Sequence, residues 1–290
     1  MKTTPLHPDF GLIVHDVDLR DVTADHFWPE IRNAFETHSA LLFRKQDFDD
    51  DTHLKIANLF GPIENREAMA KGKDLPFTIP QVSNETKDGV TDANDLHTLN
   101  LQANMLWHTD STFLPVPALV NILTAHVVPT SGGGQTELAS TRAGWASMPK
   151  HLKDVFQNAI IWHRLSNSRD RISRELGALP EMRQWPDRPW KAIWSNPITN
   201  EEALYIASHS FAIEGIGLAD GQAIIDEAIA HCTKPAHVYT HEWQVGDVLI
   251  WDERCMLHRG QPWDYSEART LSSICCSVTE KDGLGSVRVV

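Results

Sequence analysis

Apolar and polar positions along the chain alternate in short stretches, which predicts many strands and a few amphipathic helices. Residues 11–19 alternate as a strand would, with Leu12, Val14 and Asp16 opposed to Ile13, Val17 and Leu19. Thr23-Ala24-Asp25 is expected to open a helix in which Phe27, Ile31 and Phe35 share a face. Residues 40–44 are an apolar run that predicts a buried strand. Residues 49–60 predict a second helix, on His53, Ile56, Ala57 and Phe60, stopped by Gly61-Pro62. Further strands are expected at 118–128, 160–164, 203–208, 238–243, 248–251 and 255–258, and helices at 140–148, 150–159 and 220–232. Trp107, Thr109, Thr112 and Phe113 favour a further strand at 106–113.

Two stretches break this pattern. Residues 64–102 are rich in Lys, Gly, Asp, Asn and Pro, and only 81–83 look strand-like. A polar connection of this length in a compact domain predicts an active-site lid. Residues 166–194 form a second lid-like excursion, whose five Arg read as solvated charge. There are no repeats, no convincing linker and no alternation of parallel strand with helix. The expectation is one domain, 1–290, mainly β with flanking helices, a barrel or sandwich.

Composition narrows the partners. A formal net charge of −13 argues against nucleic acid or an anionic membrane as the main partner. Cys232, Cys255, Cys275 and Cys276 have no C-x-x-C spacing, no run approaches membrane-spanning length, and the N-terminus lacks an apolar signal core. A reduced, soluble, cytoplasmic protein with a small-molecule substrate is expected, and a homo-oligomer stays open.

The candidate chemistry starts at His108-Thr109-Asp110. On a strand these two side chains would share a face and reach one ion, two thirds of a facial triad. With 15 His and 39 acidic residues, one such triplet is expected by chance. His7-Pro8-Asp9 is a second, with a central Pro that does not suit a paired strand. His258, after the apolar 255–257, is the candidate third ligand, though a hydrogen-bonded structural His is the blander reading. Arg269 heads the run 270–276, and a buried guanidinium there needs an anion. Asp264 and Glu267 are internal candidates, and a ligand carboxylate is the other. The glycine run 132–134 permits positive φ and close backbone approach but lacks the Lys and helix of a phosphate loop.

Five motifs then occur in order: Trp107-His108-x-Asp110, Gly133-Gly134-Gln135-Thr136-Glu137, Gly246-Asp247-x-x-x-Trp251-Asp252, His258-Arg259-Gly260 and Arg269. The set resembles the Fe(II)- and 2-oxoglutarate-dependent dioxygenases of the taurine dioxygenase (TauD/TfdA) family. Pro5-Leu6-His7-Pro8 and Leu257-His258-Arg259-Gly260 look most like its 2,4-dichlorophenoxyacetate dioxygenase branch. The resemblance covers nearly the whole chain except 64–102 and 166–194. It implies a double-stranded β-helix (jelly-roll) core, iron held by His108, Asp110 and His258, and 2-oxoglutarate held by Thr136 and Arg269. It also implies O2 as oxidant, succinate and carbon dioxide as products, and hydroxylation of a substrate C–H. Where that carbon bears an ether oxygen or a sulfate, the hydroxylated product falls apart.

Two imidazoles and a carboxylate suit an oxygen-activating iron, whereas a closed zinc site would want Cys at ligand spacing. Asp110 separates the chain from halogenating relatives, in which that position is a small residue. Trp107, Asn104 and Trp251 are candidates for support around the metal, with core packing the favoured role for the two tryptophans. The alternatives are a sulfonate or alkyl sulfate dioxygenase of the taurine type and a non-catalytic jelly-roll sensor.

One departure concerns the substrate. In the family's usual pattern a second Arg lies four residues past the first and anchors the substrate's anionic end, and here that position is Ser273. A Ser cannot offset a buried carboxylate or sulfonate. Either the substrate is less anionic, or the charge comes from Lys71, Lys73, Arg171, Arg174 or His209. Asn104 and Ser273 complete the candidate substrate contacts. The reading favoured is the changed substrate, with poor turnover of taurine and 2,4-dichlorophenoxyacetate.

Overall fold

The computed structural model describes residues 1–87 and 89–289; Asp88, within the first excursion, and Val290 lie outside the described residues. Period-two alternation places one large sheet at the centre. Its seven strands run in the order Thr3–Pro5, Leu12–Val14, Ala40–Phe43, Val248–Asp252, Ala118–Val127, Thr270–Ser277 and Gln81–Ser83. Leu12–Val14 pairs with Ala40–Phe43 in parallel, and the other pairings are antiparallel.

Alternation along these strands sorts side chains between two faces. Leu41, Phe43, Ile122, Val248, Ile250 and Ile274 face outward, where the helices Trp28–His38 and Asp50–Phe60 cover them with Ile31, Phe35, Ile56 and Phe60. Asp49 caps the second helix by accepting from the Thr52 N–H at 2.8 Å. Leu42, Leu123, Leu249, Trp251 and Leu271 face inward, against Leu138 and Met256 of a three-stranded sheet, Val238–His241, Thr136–Ser140 and Met256–Gly260. Leu257, on the far side of that small sheet, packs with Ile225, Ala228 and Cys232 of the helix Leu218–Cys232. Asn121, Leu123, Trp251 and Leu271 of the large sheet and Thr136 and His258 of the small one line a common cavity, and the site lies there.

Several expectations change. The helix expected to open at Thr23 begins at Trp28, with Pro29 in its first turn, while Thr23 and His26 exchange backbone hydrogen bonds. Strand 11–19 shrinks to Leu12–Val14, and 203–208 to Glu202–Leu204. Residues 106–113 are not a strand: a single bridge joins His108 to His258, and Ser111 then adopts a left-handed φ of 60°. The first excursion carries a helix at Arg66–Lys71, the sheet-edge strand Gln81–Ser83 and a helix at Leu96–Ala103. The second carries short helices at Leu165–Asp170 and Arg174–Ala178 and a strand at Arg188–Lys191. The four cysteines are free and buried. No helix among the described residues is long and apolar enough to cross a membrane.

Candidate active site

The antiparallel bridge between His108 and His258, with reciprocal backbone bonds of 3.0 and 2.8 Å, sets the two imidazoles 4.0 Å apart between ring centroids. The left-handed turn at Ser111 follows, and Asp110 swings its carboxylate to within 3.8 Å of His258 Nε2. One ligand atom from each of the three residues falls within 4.8 Å of the others. The His108–Asp110 pair thus converges, but through a turn instead of a shared strand face.

Protonation suits a metal. His108 Nδ1 lies 2.7 Å from the Leu106 carbonyl, which only an N–H can satisfy, so Nε2 keeps its lone pair. Burial holds both His108 and His258 below the usual imidazole range, so both are neutral near pH 7. Burial disfavours charge on Asp110. The neighbouring His258, Arg66 and His108, with the Asn121 amide, outweigh it and keep the carboxyl below its usual range. Three ligand atoms facing a cavity, with positions left open, fit a divalent metal of the facial-triad kind.

A layer of supporting contacts holds this geometry. Ser273 Oγ donates to Asn121 Oδ1 at 2.9 Å, which turns the amide so that Nδ2 donates to Asp110 Oδ2 at 2.8 Å. Glu253 is fully buried. Its Oε2 accepts the Asp110 N–H at 2.8 Å, and its Oε1 accepts Trp251 Nε1–H at 2.8 Å. The same Oε2 lies 3.8 Å from His258 Nδ1. Glu253 therefore braces the Asp110 backbone and the Trp251 indole, and stands behind His258 beyond hydrogen-bond reach. Arg66, bonded to Glu64 and to Ser111 Oγ, stands 3.9 Å from Asp110.

His108, Asp110, His258, Asn121, Ser273 and Arg66 line a cavity of about 460 Å³. Thr136 and Arg269 lie on its wall. Arg269 is 4% exposed and makes no ion pair among the described residues. Its Nε donates to the Gly134 carbonyl at 2.9 Å, and its guanidinium stacks on Trp263. Asp264 is taken up by Ser266, and Glu267 by Thr130 and Ser131, so neither internal acid neutralises it. Burial lowers its pKa to about 10, which leaves it cationic. Gly134, at φ +67°, is needed here, because a Cβ would sit 2.8 Å from Arg269 Cδ and Nε.

Asn104, His209 and Ser273 also line the cavity. Lys71 and Lys73 do not: both are exposed, and Lys71 pairs with Glu67. Arg171 and Arg174 are exposed outside it, Arg171 paired with Asp226. Trp107 stacks with Arg259. The cavity-lining cation of the second excursion is Arg169, a residue that sequence reasoning left among solvated charges. Asn121, Glu253 and Arg66 were missed as well. Glu253, next to Trp251-Asp252 in one of the motifs, carried the one available signal.

Residues 2–275 match the family model described as taurine catabolism dioxygenase TauD, TfdA family, and the chain belongs to that family. It is similar to the alpha-ketoglutarate-dependent 2,4-dichlorophenoxyacetate dioxygenase of Cupriavidus pinatubonensis, with 32% identity over 92% of this chain and 94% of the relative. It is also similar to the (S)-phenoxypropionate/alpha-ketoglutarate-dioxygenase of Sphingobium herbicidovorans, with 31% identity over 92% and 91%. Among solved structures, AAD-2 in complex with Mn(II) and N-oxalylglycine superimposes with a TM-score of 0.88 at 28% identity, covering 97% of this chain and 99% of that one.

Proposed function

We propose that this chain is an Fe(II)- and 2-oxoglutarate-dependent dioxygenase that hydroxylates a small aryloxyalkanoate-like substrate, releasing succinate and carbon dioxide. The carrying observation is that one cavity holds both the His108–Asp110–His258 cluster and a buried Arg269 without an acid. His108, Asp110 and His258 hold the iron. The Arg269 fork takes the far carboxylate of 2-oxoglutarate, with the Thr136 hydroxyl beside it. Iron bound there supplies activation of O2 coupled to oxidative decarboxylation of 2-oxoglutarate, and one oxygen atom goes to a substrate carbon. When that carbon carries an ether oxygen, the product is a hemiacetal, which breaks to a phenol and a carbonyl compound.

The large and small sheets form a double-stranded β-helix in this reading. The excursions at 64–102 and 166–194 serve as lids within a single domain. Support comes from Phe77, Pro80, Leu101 and Arg169, which line the cavity from those segments. Free buried cysteines and an acidic surface support a cytoplasmic protein whose partner is a small molecule.

Mn(II) binding to the purified protein, followed by calorimetry, tests the metal assignment. The wild type is expected to take up one equivalent, and Asp110→Ala to lose it while still unfolding cooperatively. Equal uptake by Asp110→Ala would refute it.

A further inference from the structure

Four guanidinium groups line the cavity: Arg66, Arg169, Arg259 and Arg269. Arg66 is paired with Glu64, and Arg259 with Glu137. Arg269 is accounted for by 2-oxoglutarate. Arg169 alone of the four is left with neither an ion pair among the described residues nor an assigned ligand.

Its surroundings hold it in place without neutralising it. Nε donates to Asn100 Oδ1 at 3.3 Å, and Nη1 donates to Ser168 Oγ at 2.8 Å and to His209 Nε2 at 3.2 Å. A guanidinium has no lone pair to offer, so His209 accepts at Nε2 and carries its proton on Nδ1, 3.4 Å from Thr112 Oγ1. Burial, with the Arg169 charge next to it, keeps that imidazole well below its usual range, so His209 adds no charge of its own. Three of the five N–H donors are thus used on neutral acceptors. Both donors of Nη2 make no hydrogen bond among the described residues. Burial and Arg66 bring the Arg169 pKa down to about 10, and the group is still cationic at neutral pH.

The His209 ring stands 6.2 Å from the His108 ring. Arg169 is therefore close to the metal cluster, on its His108 side, whereas Arg269 meets Gly134 and Trp263. Every acceptor that Arg169 meets is neutral, so no acid beside it offsets its charge. A buried surplus charge of this kind is costly until an anion meets it.

We propose that Arg169, steadied by Asn100, Ser168 and His209, is the anchor for the carboxylate of a monoanionic substrate, in place of the Arg that Ser273 replaces. Ser273 is instead a positioning residue that orients Asn121 toward Asp110. The expectation of a less anionic substrate, and of poor turnover of 2,4-dichlorophenoxyacetate, is given up on this ground. The inference rests on the dioxygenase reading.

The test uses the protein loaded with Mn(II) and N-oxalylglycine, titrated calorimetrically with 2,4-dichlorophenoxyacetate, its primary amide and octyl sulfate. The wild type is expected to prefer the acid to the amide. Arg169→Met is expected to weaken the acid by roughly 30-fold or more and leave the amide unchanged, with Arg169→Lys in between. N-Oxalylglycine should still bind to Arg169→Met, which also shows that the variant is folded. Acid affinity unchanged in Arg169→Met, or equal for acid and amide in the wild type, would overturn the anchor. Arg169-dependent binding of octyl sulfate without binding of the acid would overturn the carboxylate assignment. Failure of N-oxalylglycine to bind the wild type in a Mn(II)-dependent way would instead overturn the dioxygenase reading.

Discussion

At the scale of single residues, function depends on which buried charges lack an internal partner. Arg254 shows the satisfied case: fully buried, it bonds Asp252 and Glu36 and the Asp282 carbonyl, so two acids offset its charge. Arg269 is equally buried, but its neighbours are a carbonyl and an indole. A charge-assisted pair with a ligand carboxylate is worth about 2–5 kcal/mol in such a setting. Arg269→Ala is therefore expected to raise the apparent Kd for 2-oxoglutarate by roughly 30-fold to several thousandfold, with Mn(II) affinity little changed. Equilibrium titration of 2-oxoglutarate into the Mn(II) protein reads this directly. An unchanged Kd would mean that Arg269 serves only the fold.

At the scale of elements, the site joins regular strands to irregular turns. The inward-facing Asn121, Leu123, Trp251 and Leu271 follow from strand alternation, and the central sheet was legible from its apolar runs. His108, Asp110 and His258 were legible as residue types at recognisable spacing. The turn that unites them was not, because a left-handed Ser111 and a backbone braced by the Glu253 side chain leave no periodic trace. Arg169 was hidden for a related reason: it is one of five Arg in an aperiodic stretch, and only packing against His209 and Asn100 separates it from the exposed Arg171 and Arg174. The glycine run 132–134 is an element whose role is geometric. Gly134→Ala adds a Cβ at 2.8 Å from the Arg269 side chain, on a backbone at φ +67°. It is expected to raise the KM for 2-oxoglutarate by on the order of 10-fold or more, equivalent to a strain of about 1–3 kcal/mol, with metal affinity preserved. Steady-state kinetics against 2-oxoglutarate with a parallel Mn(II) titration would show this split; a normal KM would mean that Arg269 accommodates the methyl group at no cost.

At the scale of the whole molecule, histidines buried as neutral groups tie stability to pH. His53, bonded at Nε2 to the Ile122 carbonyl, is held by burial at a pKa of about 4, and His163, buried without an acid, at about 3. Unfolded, each binds its proton near pH 6.5. As the pH falls from 6.5 toward 4, unfolding takes up protons that the folded chain refuses, so stability drops. It is fully present above about pH 6.5, and the loss for His53 alone comes to about 3 kcal/mol. The buried site histidines act in the same direction. Urea midpoints measured from pH 8 to 4 should fall steeply below 6.5, and His53→Gln should flatten the slope by about one proton. A flat profile would contradict the neutral assignment.

Function at this one cavity rests on coupled turnover. The most direct measurement is succinate release under air with Fe(II), ascorbate, 2-oxoglutarate and 2,4-dichlorophenoxyacetate, for the wild type and for His258→Ala. The prediction is one succinate for each phenol released by the wild type, and none above background for His258→Ala. No succinate from the wild type with any aryloxyalkanoate, or undiminished release from His258→Ala, would contradict it.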